Sequence, residues 1–411
     1  MTPAERGSVT RPALSRCIRV SAEEFAERHW GREPLLSTAG DLDADFEDLF
    51  SAAAVDELIT RRGVRTPFIR MAHEGTVLAA SAYTGSGGFG AEIADQVSAD
   101  KVMTEFAGGA TIVLQGLHRL WPPIIEFTRA LIDDLGHPAQ VNAYVTPPSS
   151  QGFEPHYDTH DVFVLQISGE KRWHIHAPVH VDPLRTQPWD QHRAAVARAA
   201  THDPVIDAVL RPGDALYLPR GWIHSATALG ATSVHLTVGM SAYTRADVVD
   251  ALLHQVGDIP ALRASLPLGI DLRDSESLEP IVEETVQALI EMLQRSDASM
   301  PTAGLSARFD ADTRAEPVAP LATLEALAGL APETPVRWRR SLPVRITTVD
   351  DRVRIVARTK TLSLPAEAEP AVRRLATGDV VTPGELPELD VESAIVVVRR
   401  LVREGFVVAS G

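Results

Sequence analysis

The sequence predicts an α+β chain of 411 residues in which an antiparallel barrel or sandwich is followed by a helical segment and a small winged-helix-like module. Three observations predict it. From "GATIVLQGL" to "VHLTVGM", short β-branched runs alternate with Gly and Pro, the pattern of many short antiparallel strands. In "ESLEPIVEETVQALIEMLQR", Leu278, Ile281, Val282, Val286, Leu289, Ile290 and Leu293 recur at steps of three and four, which makes one apolar helical stripe. From "VRWRR" onward, strands and two helices close on a final "FVVAS".

Taken in order, residues 1–15 read as a loose tail. "SAEEFAERHWGREPLL" reads as a short helix from Ser21 ending before Pro34, with Phe25 and Trp30 as core anchors. The strand runs are "TIVLQGL", "QVNAYVTP", "DVFVLQI", "KRWHIHAP", "DALYLP" and "SVHLTVG", with "SGE" and "RGW" as turns, and they place an all-β domain within 16–243. Residues 244–300 form the helical domain, whose stripe needs a partner surface. Residues 301–335, rich in Ala, Pro and Thr, read as a connection with one short helix, and 336–411 as the winged-helix-like domain, with "AEPAVRRLAT" and "VESAIVVVRRLVREG" as its helices. Winged helices often bind DNA, but 13 basic against 10 acidic residues in 336–411 favours a protein-contact module.

Apolar residues make up 45% and charged residues 23%, which is globular. Acidic residues exceed basic ones, 55 to 39, so the net charge is −16; this disfavours direct nucleic-acid binding and suits a basic partner. Cys17 is the lone cysteine, so no intramolecular disulfide can form. No apolar run is long enough for a membrane span and the first residues lack a signal-peptide core, so a cytoplasmic protein is expected.

The chemistry concentrates in "EPHYDTHDVFVLQISGEKRWHIHAP". Alternate residues of a strand share a face, so His156 and Asp158 project together as a two-ligand clamp. A third ligand is offered by His224 in "RPGDALYLPRGWIHSA", 66 residues beyond Asp158. Two imidazoles and one carboxylate leave metal positions open, the facial arrangement of non-haem Fe(II) oxygenases. A closed structural zinc site would use a fourth ligand, commonly thiolate, and the only thiol lies at Cys17. Lys171 shares a strand face with Trp173 and Ile175; a buried ammonium needs an anion, and a dicarboxylate cosubstrate would supply it. His160 reads as a residue behind the ligands or at the rim rather than a ligand, His174 and His176 as facing solvent or a neighbouring sheet, and His235 as a candidate for the barrel interior. Ser225 and Ser233 lack a nucleophile's partners. "GSGGFGAE" lacks the strand and Lys of a phosphate cradle and reads as a loop over the site.

"NAYVTPPSSQGFEPHYDTHDVFVLQISGEKRW", with "PGDALYLPRGWIHSA" and "SVHLTVG", resembles the Jumonji-C (JmjC) ribosomal oxygenases of the cupin superfamily. The resemblance implies a double-stranded β-helix catalytic domain, a helical dimerisation domain and a C-terminal winged helix. It implies a homodimer dependent on Fe(II), 2-oxoglutarate and dioxygen that hydroxylates a basic ribosomal protein. The family's metal ligands fall on His156, Asp158 and His224, and its basic residue for the distal carboxylate of 2-oxoglutarate on Lys171, as in histidine-hydroxylating members; the arginine-hydroxylating bacterial member has Arg there. Tyr144 matches the tyrosine holding the same carboxylate, Asn142 an asparagine of the pocket, and Thr146 a neighbour. Where the animal enzymes have a serine after the last ligand, this chain has Gly239. The motif leaves demethylation open beside hydroxylation. Two alternatives stand: the same chemistry on a small molecule or natural-product peptide, and a non-catalytic cupin-like interaction protein.

Overall fold

The computed structural model describes residues 11–73, 75–90, 92–148, 150 and 154–410. The chain divides into two compact units, Met1–Ala242 and Tyr243–Gly411.

In the first unit, the strands are β1 (Leu35–Ser37), β2 (Ile69–His73), β3 (Thr76–Val77), β4 (Thr84–Gly85), β5 (Gln96–Val97), β6 (Thr111–Leu114), β7 (Ala139–Thr146), β8 (Asp161–His176), β9 (Ile206–Leu210), β10 (Ala215–Leu218) and β11 (Ile223–Met240). One antiparallel sheet runs β1-β10-β8-β11-β7-β6-β2-β3, with β9 also on β8; β4 and β5 pair apart. The sheet's centre is the long pair β8 and β11. "DVFVLQI" and "KRWHIH" are one 16-residue strand, so "SGE" is not the turn its composition suggests. Gly169 sits in it at φ +65°, and a Cβ there would lie 2.2 Å from the Thr232 carbonyl oxygen. The ladder shifts register opposite this point, between Leu229 and Val234 of β11. A strand that bends at a glycine reads as two strands in the sequence.

Alternation along β8 separates two cores. Phe163, Leu165 and Ile167 face the large core with the helices Ala52–Arg61 and Pro122–Leu135, while Val162, Val164, Trp173 and Ile175 face a smaller one with Leu210, Leu216 and Leu218. The site lies on this second face. Near the N-terminus, the tail expectation fails for residues 12–15: Pro12–Ser15 is helical, Ala13 and Leu14 are buried, and the carboxylate of Asp134 accepts both their N–H groups. Residues 1–10 lie outside the described residues. Ala22–Glu24 continues into a wider helical turn, Phe25–His29. Trp30 stacks on Tyr217 and His137 as a packing residue.

In the second unit, helices run Arg245–Leu253, Pro260–Arg263, Ser275–Arg295, Ser299–Asp312 and Pro320–Ala328. The expected connection over 301–335 is therefore largely helical, with two helices where one was expected. Pro301 falls in the first turn of its helix, where a missing N–H is tolerated. Along Ser275–Arg295 only Met292 is buried; Val282, Val286, Ile290 and Leu293 are 42–54% exposed. Beyond them, β12 (Val336–Trp338) pairs with β16 (Val407–Ala409), and β13 (Arg345–Val349), β14 (Arg352–Ala357) and β15 (Lys360–Pro365) form an antiparallel sheet. The helices Glu369–Ala376 and Val391–Arg403 bury Val372, Leu375, Val398 and Leu401 against these strands.

Candidate active site

His156 and Asp158 stand on the segment entering β8, and His224 on the first residues of β11. The backbone joins them. The His156 N–H donates to the His224 carbonyl at 3.2 Å, the His224 N–H to the His156 carbonyl at 2.8 Å, and the Gly221 N–H to the Asp158 carbonyl at 3.0 Å. The ligand atoms of the three side chains lie within 4.8 Å of one another. His224 Nε2 is 3.8 Å from an Asp158 oxygen.

The tautomers suit a metal. His156 Nδ1 lies 2.7 Å from the Glu154 carbonyl and His224 Nδ1 3.1 Å from that of Trp222. A carbonyl only accepts, so each Nδ1 carries the proton and each Nε2 keeps its lone pair toward the centre, the usual backing of a metal-bound imidazole. Burial pushes His224 down to about 4, with His156 adding to the effect and Asp158 opposing it. Burial pushes Asp158 up, but His160, His224 and His156 outweigh it and leave the carboxyl below its ordinary range. Near neutral pH the cluster is a carboxylate with a neutral His224, a donor set that fits a divalent ion.

The triad opens on a cavity of about 80 Å³ whose far wall holds Lys171, Thr146, Tyr144 and His235. Lys171 is 3% exposed, and burial pushes it down to about 7. Its ammonium donates to Thr146 Oγ1 at 3.2 Å and lies 5.8 Å from the Trp173 ring, with no ion pair among the described residues. A buried cation facing a cavity with only a hydroxyl and a ring beside it fits an anionic ligand. Tyr144 stacks on His235 at 5.1 Å, and Arg70 hydrogen-bonds its hydroxyl. Burial raises the phenol.

Of the residues expected in the site, His156, Asp158, His224, Lys171, Tyr144 and Thr146 line this one cavity. Asn142 does not; its amide oxygen accepts the N–H of Gly116 at 3.0 Å. His235 is 3% exposed within the cavity wall, and its Nδ1 has no hydrogen-bond partner among the described residues. Thr111 and Thr237 also line the cavity and were not singled out in the sequence. Thr237 had a signal, since it is in strand phase with His235. His174 faces Asp207 at 3.4 Å on the outer side, while His176 is buried. In the Gly-rich loop Phe89 is fully exposed, and Ala91 lies outside the described residues.

A JmjC domain model matches residues 119–248. Ribosomal oxygenase 1 of Gallus gallus is 32% identical over 259 residues, 62% of this chain and 39% of that protein. The bifunctional lysine-specific demethylase and histidyl-hydroxylase NO66 of Drosophila persimilis is 39% identical over 163 residues, 38% of this chain and 22% of that protein. The chain thus spans about two fifths or less of the length of these relatives. YcfD, a ribosomal oxygenase from Escherichia coli solved with cobalt and 2-oxoglutarate, superposes with a TM-score of 0.52 at 18% identity over 96% of this chain and 99% of that one, a likeness of fold. Residues 119–248 therefore match a JmjC domain, in a fold like that of YcfD, and the chain is similar to proteins named ribosomal oxygenase 1 and NO66.

Proposed function

We propose that this protein is an Fe(II)- and 2-oxoglutarate-dependent oxygenase that hydroxylates a side chain of a basic protein, foremost a histidine of a ribosomal protein. One observation carries the reading: a metal-ready triad and a buried lysine with no ion pair among the described residues line one cavity. His156, Asp158 and His224 would hold the iron, Lys171 the distal carboxylate of 2-oxoglutarate, and Tyr144 and Thr146 its oxygens. When bound, iron with 2-oxoglutarate and dioxygen supplies decarboxylation to succinate and carbon dioxide and puts the second oxygen atom into a substrate C–H bond. The chain fixes orientation. Lys171 and the triad would set the two ends of the cosubstrate, Val162, Val164 and Leu218 give the cavity apolar lining, and the Nδ1 contacts keep both imidazoles aimed.

Hydroxylation is favoured over demethylation on the family resemblance alone; histidine is held only slightly above arginine, because the cosubstrate position holds Lys171, as in the histidine-hydroxylating members, while Gly239 removes a polar contact expected there. The exposed apolar stripe of Ser275–Arg295 supports a homodimer. The strands and helices of 336–411 support a winged-helix domain used for protein contact. The acidic charge disfavours nucleic acid, and no described helix is long and apolar enough to cross a membrane; a cytoplasmic site of action is part of the proposal. Incubation with Fe(II), 2-oxoglutarate and ribosomal proteins should yield succinate and a matching one-oxygen mass increase on a defined residue. Succinate formation no faster than in the Asp158→Ala protein would remove the enzymatic reading and leave the interaction protein. Succinate without any modified ribosomal protein would favour the small-molecule or peptide alternative.

A further inference from the structure

One row of side chains crosses four strands behind and along the cavity wall. Arg70 of β2 pairs with Val113 of β6, Val113 with Tyr144 of β7, and Tyr144 with His235 of β11. Residues opposed across a ladder share a face. This row turns away from the large core, which takes the strand neighbours on either side: Ile69 and Met71, Ile112 and Leu114, Ala143 and Val145, Val234 and Leu236. At one end of the row Tyr144 and His235 line the cavity; at the other, half-buried Arg70 is not a wall residue.

Tyr144 is held from both sides of the row. Its ring stacks on that of His235, with centroids 5.1 Å apart and planes 5° from parallel. From the other side Arg70 reaches past the short Val113 and hydrogen-bonds the Tyr144 hydroxyl. A guanidinium only donates, whereas a phenol has one O–H to give and lone pairs to accept with. The Tyr144 oxygen is therefore the acceptor in this contact, and its own proton goes to a different acceptor. A cationic donor on the oxygen also polarises the O–H and makes it a stronger donor.

We propose that Arg70 is a positioning residue: by occupying a lone pair of the Tyr144 hydroxyl, it commits the phenol to donate its proton into the cavity, to a carboxylate oxygen of bound 2-oxoglutarate. The inference rests on the oxygenase reading for the identity of that carboxylate, and on the row Arg70–Val113–Tyr144–His235 for its geometry. Arg70 acts through Tyr144 and touches no ligand. Without the guanidinium the phenol can turn its proton outward and offer the cavity a lone pair, which repels a carboxylate instead of binding it.

The test is a double-mutant cycle read by calorimetry, with 2-oxoglutarate titrated into the full chain loaded with cobalt(II) in the absence of oxygen. Arg70→Met should weaken 2-oxoglutarate binding about fivefold or more and leave cobalt affinity within about twofold. In the Tyr144→Phe protein the same substitution should change 2-oxoglutarate binding by less than about twofold, because the hydroxyl through which it acts is gone. Arg70→Lys, which keeps a charged donor, should recover most of the lost affinity. In turnover, Arg70→Met should raise the KM for 2-oxoglutarate and leave kcat within about twofold. Unchanged affinity in Arg70→Met would overturn the proposal, and so would an equal loss in both backgrounds, which would make Arg70 a general support of the fold or a direct ligand. Should Arg70→Met not fold, Arg70→Gln takes its place in the cycle, under the same two outcomes. A wild type that neither binds 2-oxoglutarate nor forms succinate in air would overturn the oxygenase reading and this inference together; succinate formation with an unaffected Arg70→Met protein would overturn this inference alone.

Discussion

Lys171 is the residue whose chemistry can be read most directly. Its ammonium is depressed to about 7 by burial, so free protein holds it half neutral near neutral pH, whereas an arriving carboxylate favours the charged form. Binding of 2-oxoglutarate should therefore take up a proton above pH 7, and affinity should fall as pH rises past that value, by up to tenfold per unit. Calorimetry in buffers of different ionisation enthalpy checks both; affinity flat from pH 6.5 to 9 would place the carboxylate elsewhere. The same shift acts on stability with its own sign. The unfolded chain keeps this proton to about pH 10.4, so between the two values it binds more protons than the folded one, and this lysine's contribution to stability rises with pH across that window. Lys171→Ala should raise the KM for 2-oxoglutarate at least tenfold and leave metal affinity nearly unchanged, whereas Asp158→Ala should abolish metal binding and turnover together. The spacing of H-x-D, the distant His224 and a lysine in phase with Trp173 made this much of the candidate site legible. Asn142 was placed in the pocket by the family resemblance, which does not say whether a neighbouring N–H, here that of Gly116, has claimed its side chain.

Among the elements, the long β8 and β11 pair is the least obvious from composition. Gly169→Ala should cost about 2–4 kcal/mol, combining a left-handed backbone with an impossible contact on the Thr232 carbonyl; chemical denaturation measures it, and a change below 1 kcal/mol would mean that the strand relaxes freely there. The sequence announced a break at "SGE" because Gly and Ser mark turns more often than bent strands. The helices over 299–328 escaped for the opposite reason. Ser299–Asp312 buries no residue completely, so its composition carries no periodic stripe for the eye to find. The stripe of Ser275–Arg295, by contrast, was plain in sequence and lies open in the single chain. Glutamate at both Leu289 and Ile290 should give monomers by light scattering, with wild type at twice the mass; a monomeric wild type at micromolar concentration would assign the stripe to another partner.

For the whole molecule, charge is unevenly spread. Residues 336–411 hold 13 of the 39 basic and 10 of the 55 acidic residues, so the remainder carries −19. That field favours the approach of a basic polypeptide, and kcat/KM for a lysine-rich peptide should fall several-fold between 50 and 300 mM salt, while peptide-independent consumption of 2-oxoglutarate stays level. A salt-independent kcat/KM would remove this charge-guided reading of recognition. The broad order of sheet, helices and mixed C-terminal unit was readable because each has its own hydrophobic period.

The reciprocal backbone hydrogen bonds between His156 and His224 also bear on the life of the protein without its metal. Small zinc domains acquire their shape from the ion and unravel when it is removed; here peptide groups hold the ligand-bearing segments together by themselves. Stripping with a chelator should leave the circular dichroism spectrum intact, and returning metal should raise the melting temperature only as mass action requires. An unfolded metal-free form would contradict this. If the chain is the iron-dependent oxygenase proposed above, iron scarcity would then leave it folded and able to regain activity on resupply without new synthesis.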